Sequence, residues 1–587
     1  MKNNIFIVID SLYYNKTIKE SYRNNPMPFL GKLRSEGLDY TNMYSEAPYT
    51  EAALVSLLCG VDTLKSGGYI KKLYGKETIM ETFQKNGYET FCNCVQPLVY
   101  PSYSYQGLDY EYYNICYEFE TLWSYRLKYY SEVYKNGKLD SNTMFLIIEL
   151  MDDNLKTWLD FFYSLKNKNK KVSFILPYVN TNGLEENINK LENEIEKYNT
   201  DKVKYTKELL ELGYEHDLFK IHAYNLSEKM SDENMKKLYY KYKKVIRRMF
   251  FKNLSYNLKN NKLILSSKEN NRGLLKAYIN AVINRFLYKK IDYRIKSKKA
   301  APSMDTTFNH FEEWLLNRKN DKPYFAYIHV DDCHSSEIFY TYDTDDFSKL
   351  DEEFNKINKY MDRIPKNYKG SISYDVSLQY ADLCLERLYT FLENNNMIED
   401  VNIIICADHG SSYTFAPYRS NYVNNVHREN YNMPFVIWSK NLKHEVKNGY
   451  YNTKDIPATI LELNGIKIPK IYDGVSTLSN KGRKYVLIEN VPGGCPDYNL
   501  RDFWIGIRNE KYLVVMLGNK DKNFEELEFH SVYDLTKDRD ELYNIKDIIN
   551  KEDIKNELNI IKKEFEIIKK DMLNNNFLLN ENGDMSE

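Results

Sequence analysis

The chain has 587 residues, 43% of them hydrophobic, and a formal net charge of −1. This length exceeds one simple core and predicts roughly two to four structural units of globular composition. The near-zero charge excludes a global attraction to nucleic acid or membranes, so no nucleic-acid partner is predicted and any such contact would need a local patch.

The first predicted element is a buried strand, residues 5–9, which ends in Asp10. A second apolar run, residues 403–406, is soon followed by Asp408 and His409. Such runs are typical of parallel strands covered on both faces, and ligands gather at the carboxyl ends of such strands. The three side chains would offer oxygen and nitrogen ligands to Zn²⁺ or Mn²⁺. Two ordinary strands followed by polar loops are the alternative.

The first residues of the chain and its cysteines indicate the cellular compartment in which the protein is expected. The first strand begins a few residues after Met1, which leaves no room for a leader peptide in this sequence unless an upstream export signal is missing from it. No stretch approaches the roughly 20 apolar residues of a spanning helix. The eight cysteines lack CxxC spacing, so neither a zinc ribbon nor a disulfide framework is predicted. We expect a soluble cytoplasmic protein with reduced thiols.

Changes in composition and in the pattern of apolar residues divide the chain into four parts. Residues 1–118 alternate short apolar runs with helix-compatible stretches, which is the α/β pattern. Residues 119–300, rich in Lys, Asn, Tyr and Glu, predict a mostly helical insertion. The α/β pattern returns in residues 301–480. Residues 481–587 predict a smaller C-terminal α+β subdomain that ends in a helix with a frayed tail.

The insertion contains a basic amphipathic helix, in which apolar residues keep helical spacing. Its basic residues are Lys236, Lys237, Lys241, Lys243, Lys244, Arg247, Arg248 and Lys252. Such a helix could hold a polyanionic substrate or touch an anionic membrane. We favour the alternative of a solvated face that acidic neighbours, such as Asp232 and Glu233, balance.

Between the two metal-site strands, residues 47–60 contain a turn and then a helix-compatible run, with Thr50 at the predicted N-cap. A helix N-terminus stabilises an alkoxide or a bound anion, and a nearby cation lowers the pKa of a hydroxyl. Thr50 is therefore the candidate nucleophile. The alternative is a plain helix cap, which is the commoner role of a threonine in this position.

The order of these pieces resembles the alkaline phosphatase and sulfatase superfamily over residues 1–118 and 300–545. The matching pieces are Asp10 after its strand, residues 57–60, 81–90, 325–334, 407–410, 433–437, 455–466 and 532–535. The resemblance implies an α/β fold with a three-layer alkaline phosphatase-like core, interrupted by the insertion. It also implies Asp10, Thr50, Asp408 and His409 as ligands of one or two divalent ions, with Zn or Mn favoured.

Departures from the sulfatase pattern indicate which members of the superfamily the chain resembles most. Sulfatases of this type carry a Cys or Ser that becomes formylglycine, followed by Pro and Arg at fixed spacing, where this chain has Thr50, Ala52 and Leu54. Threonine cannot become formylglycine by that route. Ser11 stands where a second metal aspartate would be. The chain is more similar to the phosphodiesterases, phosphoglycerol transferases and phosphoethanolamine transferases of the superfamily.

Further histidines complete the predicted site. His334 is predicted to be a substrate-binding residue or general acid beside one metal. Alternatively, His334 with Asp331 or Asp332, together with His427, would complete a two-metal clamp. His329 lies within a predicted strand and is interpreted as structural.

The predicted function is metal-dependent hydrolysis or transfer of a phosphate monoester or diester through a phosphothreonine. The substrate would be an anionic small molecule or a glycan- or lipid-linked ester, and contact with a membrane surface is not favoured. A sulfuric ester hydrolase without formylglycine is one alternative. A catalytically silent binding module that uses the basic insertion is another.

Overall fold

The structure, a computed structural model, describes residues 2–14, 25–65, 76–94, 107–112, 303–334, 347–363, 372–411 and 503–518, and most of 127–226, 240–248, 426–490 and 526–574. Its strands are β1 (Asn3–Ile9), β2 (Leu38–Tyr44), β3 (Glu89–Cys94), β4 (Tyr110–Tyr112), β5 (Val179–Asn180), β6 (Asn225–Leu226), β7 (Tyr324–Val330), β8 (Val401–Cys406), β9 (Asn432–Trp438), β10 (Glu445–Asn452), β11 (Tyr485–Asn490), β12 (Phe503–Asn509), β13 (Tyr512–Gly518) and β14 (Leu527–Asp534).

The helices are α1 (Pro28–Glu36), α2 (Thr50–Cys59), α3 (Ile79–Lys85), α4 (Ser141–Lys166), α5 (Leu184–Thr200), α6 (Lys202–Leu212), α7 (Met304–Asn317), α8 (Phe347–Arg363), α9 (Ile372–Asn394), α10 (Arg428–Tyr431), α11 (Asp455–Leu463) and α12 (Lys555–Asn574).

The central sheet has eight strands in the order β10-β2-β9-β8-β1-β7-β3-β4. Strand β1 is parallel to both of its neighbours, with Ile5 opposite Ala326 of β7 and Ile403 of β8. Every residue of β7 and β8 is buried, as is β1 from Asn4 onward, so the middle of the sheet is covered on both faces. The predicted α/β core is confirmed.

Strands β1 and β8 are parallel as predicted, and the sheet as a whole is mixed. Strand β9 runs antiparallel to both β2 and β8. Mixed pairing is common in large sheets, and a buried apolar strand has the same composition in either direction. The direction of β9 therefore could not be predicted from its residues.

Two groups of helices pack around the sheet. Helices α1, α7 and α8 contact α9, whereas α2 and α3 contact α11. Local signals set the ends of two of them. Helix α3 begins at a capping box in which Thr78 and Glu81 bond to each other's backbone N–H groups. Helix α2 ends at Gly60, whose φ of +62° is the left-handed conformation that glycine adopts without strain.

Outside the central sheet, α4, α5 and α6 pack on one another. Four antiparallel strands, β11 to β14, form a second sheet, against which α12 packs. These features agree with a helical insertion and a C-terminal α+β subdomain, while the exact domain boundaries stay predictions.

The basic helix of the insertion is described only in part. There, Lys241 Nζ lies 3.0 Å from Asp351 Oδ2, and Arg248 forms an ion pair with Asp362. Both acids belong to α8, so acidic partners offset these two basic residues. Within the described residues, no helix is long and apolar enough to cross a membrane.

Candidate metal centre

Asp10, Asp408 and His409 come together at one edge of the sheet. Because β1 and β8 are adjacent and parallel, the residues that follow them emerge at the same edge. All three side chains are buried, and one potential ligand atom from each lies within 4.8 Å of the others. The structure thus brings Asp10 together with the adjacent residues Asp408 and His409, which lie far from it in the sequence.

The orientation of His409 leaves one ring nitrogen facing the two carboxylates. Nδ1 lies 2.7 Å from the Gly410 carbonyl oxygen, which can only accept a hydrogen bond, so Nδ1 carries the proton. Nε2 lies 3.5 Å from both Asp10 Oδ1 and Asp408 Oδ2. A neutral imidazole held in this way presents its lone pair to a metal site.

Ser11 organises both carboxylates. Its backbone N–H donates to Asp408 Oδ1 at 3.2 Å, and its hydroxyl donates to Asp10 Oδ1 at 2.8 Å. Asp408 Oδ1 also accepts from the N–H of His409 at 2.8 Å. The other oxygen of this carboxylate, Oδ2, is buried and has no hydrogen-bond partner among the described residues.

Thr50 lies beside this group. Its hydroxyl donates to Asp10 Oδ2 at 3.2 Å, and its Oγ1 is 3.4 Å from His409 Nε2. The prediction that Thr50 caps α2 is wrong by one residue, because Tyr49 has the extended N-cap backbone and Thr50 is the first helical residue. The Thr50 hydroxyl points to the carboxylate and therefore does not cap the helix.

The charge of Asp10 fits a cation site. Burial would raise the pKa of Asp10, but the positive charge of a protonated His334 and the hydrogen bond from Ser11 act in the opposite direction, and the pKa is lowered. Asp10 is therefore ionised near neutral pH. Two carboxylates, one imidazole nitrogen and a hydroxyl are the ligand types that Zn²⁺ and Mn²⁺ take, and a cation would satisfy Asp408 Oδ2. The residues present fit a divalent ion.

His334 and Asp332 lie in the turn that follows β7. The N–H of His334 bonds to the Asp331 carbonyl oxygen at 2.9 Å, and the side chains of both His334 and Asp332 are half-buried. The predicted roles of His334 in catalysis and Asp332 in metal binding stay predictions.

His427 contacts the C-terminal subdomain. Its Nδ1 lies 3.3 Å from Oε2 of the buried Glu541, which also pairs with Arg508 of β12. Burial would raise the pKa of Glu541, but Arg508 and His427 outweigh it and lower the pKa to about 2. His427 is not one of the three clustered residues, and its binding of a second ion stays a prediction.

Sequence reasoning missed two residues that shape the site. The Gly410 N–H bonds to the Asn430 carbonyl oxygen at 2.8 Å, and a Cβ at position 410 would lie 2.1 Å from the Glu429 carbonyl oxygen. The glycine directly after Asp408-His409 was a usable signal for such a close approach. Tyr374, whose hydroxyl contacts the turn after β1, had no comparable signal.

A buried Asp-Asp-His group lies at the edge of an α/β sheet, with a threonine at the start of a helix beside it, as expected for an alkaline phosphatase-like core. The model of the Sulfatase family matches residues 2–466, so the chain belongs to the sulfatase family of the alkaline phosphatase superfamily. Members of this family are hydrolytic enzymes, and the chain is accordingly a sulfatase-family hydrolase.

Two solved structures share the fold, and a third shows a weaker likeness. One, from work on the metabolism of multiple glycosaminoglycans by Bacteroides thetaiotaomicron, is 12% identical with a TM-score of 0.52, over 97% of this chain and 96% of that chain. A 2-O GAG sulfatase is 10% identical with a TM-score of 0.50, over 98% and 95%. A phosphonate monoester hydrolase of Agrobacterium radiobacter is 12% identical with a TM-score of 0.49, over 100% of both chains. No curated protein matches the chain in sequence.

Proposed function

We propose that this protein is a metal-dependent phosphoester hydrolase or phosphotransferase that works through a covalent phosphothreonine at Thr50. The observation that carries the proposal is the position of the Thr50 hydroxyl, 3.2 Å from Asp10 Oδ2 and 3.4 Å from His409 Nε2. A hydroxyl in this place can share a cation with the carboxylates and still face a substrate.

Asp10, Asp408 and His409 would hold the cation, with Zn²⁺ or Mn²⁺ as the proposed ion. Bound there, the cation would lower the pKa of the Thr50 hydroxyl and neutralise charge on the transferred group. His427 and Asp332 are the proposed ligands of a second ion.

The side chains of this chain carry the reaction. Thr50 releases its hydroxyl proton to solvent, the resulting alkoxide attacks phosphorus in line, and the bond to the leaving oxygen breaks. His334 donates the proton that the leaving oxygen takes up. The N-terminus of α2 begins at Thr50, and its backbone N–H groups favour the negative charge that stays on the bound phosphoryl group.

The step that releases the phosphothreonine decides whether the reaction is a hydrolysis or a transfer. Water that attacks the phosphothreonine completes a hydrolysis, whereas an acceptor hydroxyl completes a transfer. The proposed substrate is an anionic small molecule or a glycan- or lipid-linked ester. Phosphate is favoured over sulfate because Thr50 stands where a formylglycine-based sulfatase needs Cys or Ser.

The test combines metal analysis with three chromogenic esters. Protein purified without chelator should contain a divalent metal and should cleave p-nitrophenyl phosphate or bis-p-nitrophenyl phosphate faster than p-nitrophenyl sulfate. Thr50→Ala should lose at least about 1,000-fold in kcat, as removal of a nucleophile does, while Thr50→Ser keeps part of it. Thr41→Ala, in β2, is the control and should leave kcat unchanged.

Three outcomes separate the hypotheses. Preferential turnover of the sulfate ester would identify a sulfatase without formylglycine. Absence of both metal and turnover would favour a binding module. Full activity of Thr50→Ala would remove Thr50 as the nucleophile.

A further inference from the structure

Two buried polar atoms face each other beside the candidate metal centre. His329 Nε2 and Asp408 Oδ2 lie 3.9 Å apart, and both side chains are completely buried. Neither atom has a hydrogen-bond partner among the described residues. Burial of an unpaired polar atom costs free energy, so two of them in one place call for an explanation.

The sheet explains why His329 points to this place. In β7, His329 is opposite Val8 of β1, two residues before Asp10. Strand β8, which leads to Asp408, is on the other side of β1. His329 therefore approaches the Asp408 carboxylate from across the central strand.

The second ring nitrogen of His329 indicates where its proton lies. Nδ1 is 3.2 Å from the Tyr327 hydroxyl oxygen. If this hydroxyl donates to Nδ1, the proton of the neutral ring is on Nε2 and faces the carboxylate. The opposite tautomer would turn a lone pair toward the negative Asp408 oxygen, which is unfavourable.

His329 is better placed to act on Asp408 than on the cation. The atoms that lie within 4.8 Å of one another belong to Asp10, Asp408 and His409, and His329 is not in that group. A carboxylate oxygen has two lone pairs, so Asp408 Oδ2 can bind a cation and accept a hydrogen bond at once.

We propose that His329 is a positioning residue of the metal centre: its Nε2–H faces Asp408 Oδ2 across 3.9 Å and favours the orientation in which that oxygen points to the cation. The Tyr327 hydroxyl fixes the ring in the required tautomer. This inference rests on the proposed function, because it requires a cation at Asp10, Asp408 and His409. It replaces the interpretation of His329 as a purely structural strand residue.

The test measures cation affinity and not only activity. The dissociation constant for Zn²⁺ is determined by competition with a chromophoric chelator for His329→Ala, His329→Gln and Tyr327→Phe. Loss of a partner that orients a metal ligand typically weakens metal binding about 10- to 100-fold, and we expect this for His329→Ala. The amide of His329→Gln can still donate and should restore most of the affinity. Tyr327→Phe should weaken binding by a smaller factor.

The absorption spectrum of the Co²⁺-loaded protein separates positioning from direct ligation. If His329 positions Asp408, saturated His329→Gln should show the ligand-field bands of the wild type. Bands that change in energy and intensity would make His329 a ligand and overturn the proposal. His310→Gln, the same substitution at a half-buried histidine that stacks on Tyr112, is the control and should keep wild-type affinity.

The remaining outcomes are also decisive. Wild-type affinity in both His329→Ala and Tyr327→Phe would overturn the inference and leave the proposed function intact. A wild-type protein that binds no divalent cation would instead overturn the proposed function, and this inference with it. If His329→Ala does not fold, as judged by its thermal unfolding, His329→Gln and Tyr327→Phe decide the question.

Discussion

The Tyr374 hydroxyl donates a hydrogen bond of 2.6 Å to the Ser11 carbonyl oxygen, across 363 positions of the sequence. The same hydroxyl accepts from the N–H of Tyr13 at 3.0 Å. Ser11 has a φ of +64°, a left-handed backbone conformation that residues other than glycine rarely adopt. Since Ser11 bonds to both Asp10 and Asp408, Tyr374 holds the turn that orients the two carboxylates.

Tyr374→Phe should therefore weaken cation binding although Tyr374 does not touch the proposed ion. Loss of two hydrogen bonds to a strained turn lets Ser11 relax and releases both carboxylates. We expect the dissociation constant for Zn²⁺ to rise about 10-fold. Competition with a chromophoric chelator measures this constant. Tyr389→Phe, on the same helix α9, is the control. Equal affinity in the wild type and Tyr374→Phe would show that the turn holds its shape alone.

Gly410→Ala should disturb the metal centre through the backbone. The new Cβ would lie 2.1 Å from the Glu429 carbonyl oxygen, so the loop that carries Asp408 and His409 must move. We expect a large loss of kcat/KM, on the order of 100-fold, as for ångström-scale misplacement of catalytic groups.

The control for this prediction is Gly31→Ala within helix α1, where the nearest atom to a Cβ is the Asn25 side-chain nitrogen at 3.3 Å. Alanine in the middle of a helix stabilises by about 0.5–1 kcal/mol relative to glycine. Gly31→Ala should therefore keep full activity. If Gly410→Ala kept full activity as well, the loop would tolerate the displacement and the close packing would have no functional importance.

Glu541→Gln should destabilise the contact between β12 and the segment before α10. Glu541 pairs with the buried Arg508, and removing one partner of a buried ion pair costs roughly 3–5 kcal/mol. Unfolding in urea at pH 7 measures the difference. Glu552→Gln removes an exposed pair with Lys555 and should change the free energy of unfolding by at most about 1 kcal/mol.

The lowered pKa of Glu541 also predicts that the free energy of unfolding depends on pH. The pKa of Glu541 is lowered from 4.5 to about 2 in the folded protein. As the pH falls, this carboxyl therefore takes up its proton in the unfolded chain before it does so in the folded protein. The stability that Glu541 contributes is complete above pH 4.5 and is lost as the pH falls toward 2. The difference in unfolding free energy between the wild type and Glu541→Gln should shrink over this window. A difference that stays constant with pH would contradict the ionised pair.

The strands and the metal group could be predicted from the sequence because their signals are local. Apolar runs indicate burial, and the polar residues that end two neighbouring parallel strands must meet at one edge, as Asp10 and Asp408 do. The one-residue error at Thr50 has the same origin: a threonine before a helix suggests a cap until the carboxylate that binds its hydroxyl is known.

The supporting contacts could not be predicted in this way. The bond between Tyr374 and Ser11 and the approach of His329 to Asp408 join distant segments, and no spacing in the sequence indicates them. The contact between His427 and Glu541 likewise depends on how the C-terminal subdomain meets the core. Such contacts follow from tertiary packing, which overrides local pattern.

Anomalous diffraction from crystals grown with Mn²⁺ or Zn²⁺ tests the central claim most directly. We predict a strong anomalous peak at about 2.0–2.2 Å from Asp10, Asp408 Oδ2 and His409 Nε2, in contact with Thr50 Oγ1 and absent from Asp408→Asn. No peak in the wild type, or a peak bound elsewhere while these side chains bond only to one another, would contradict the account.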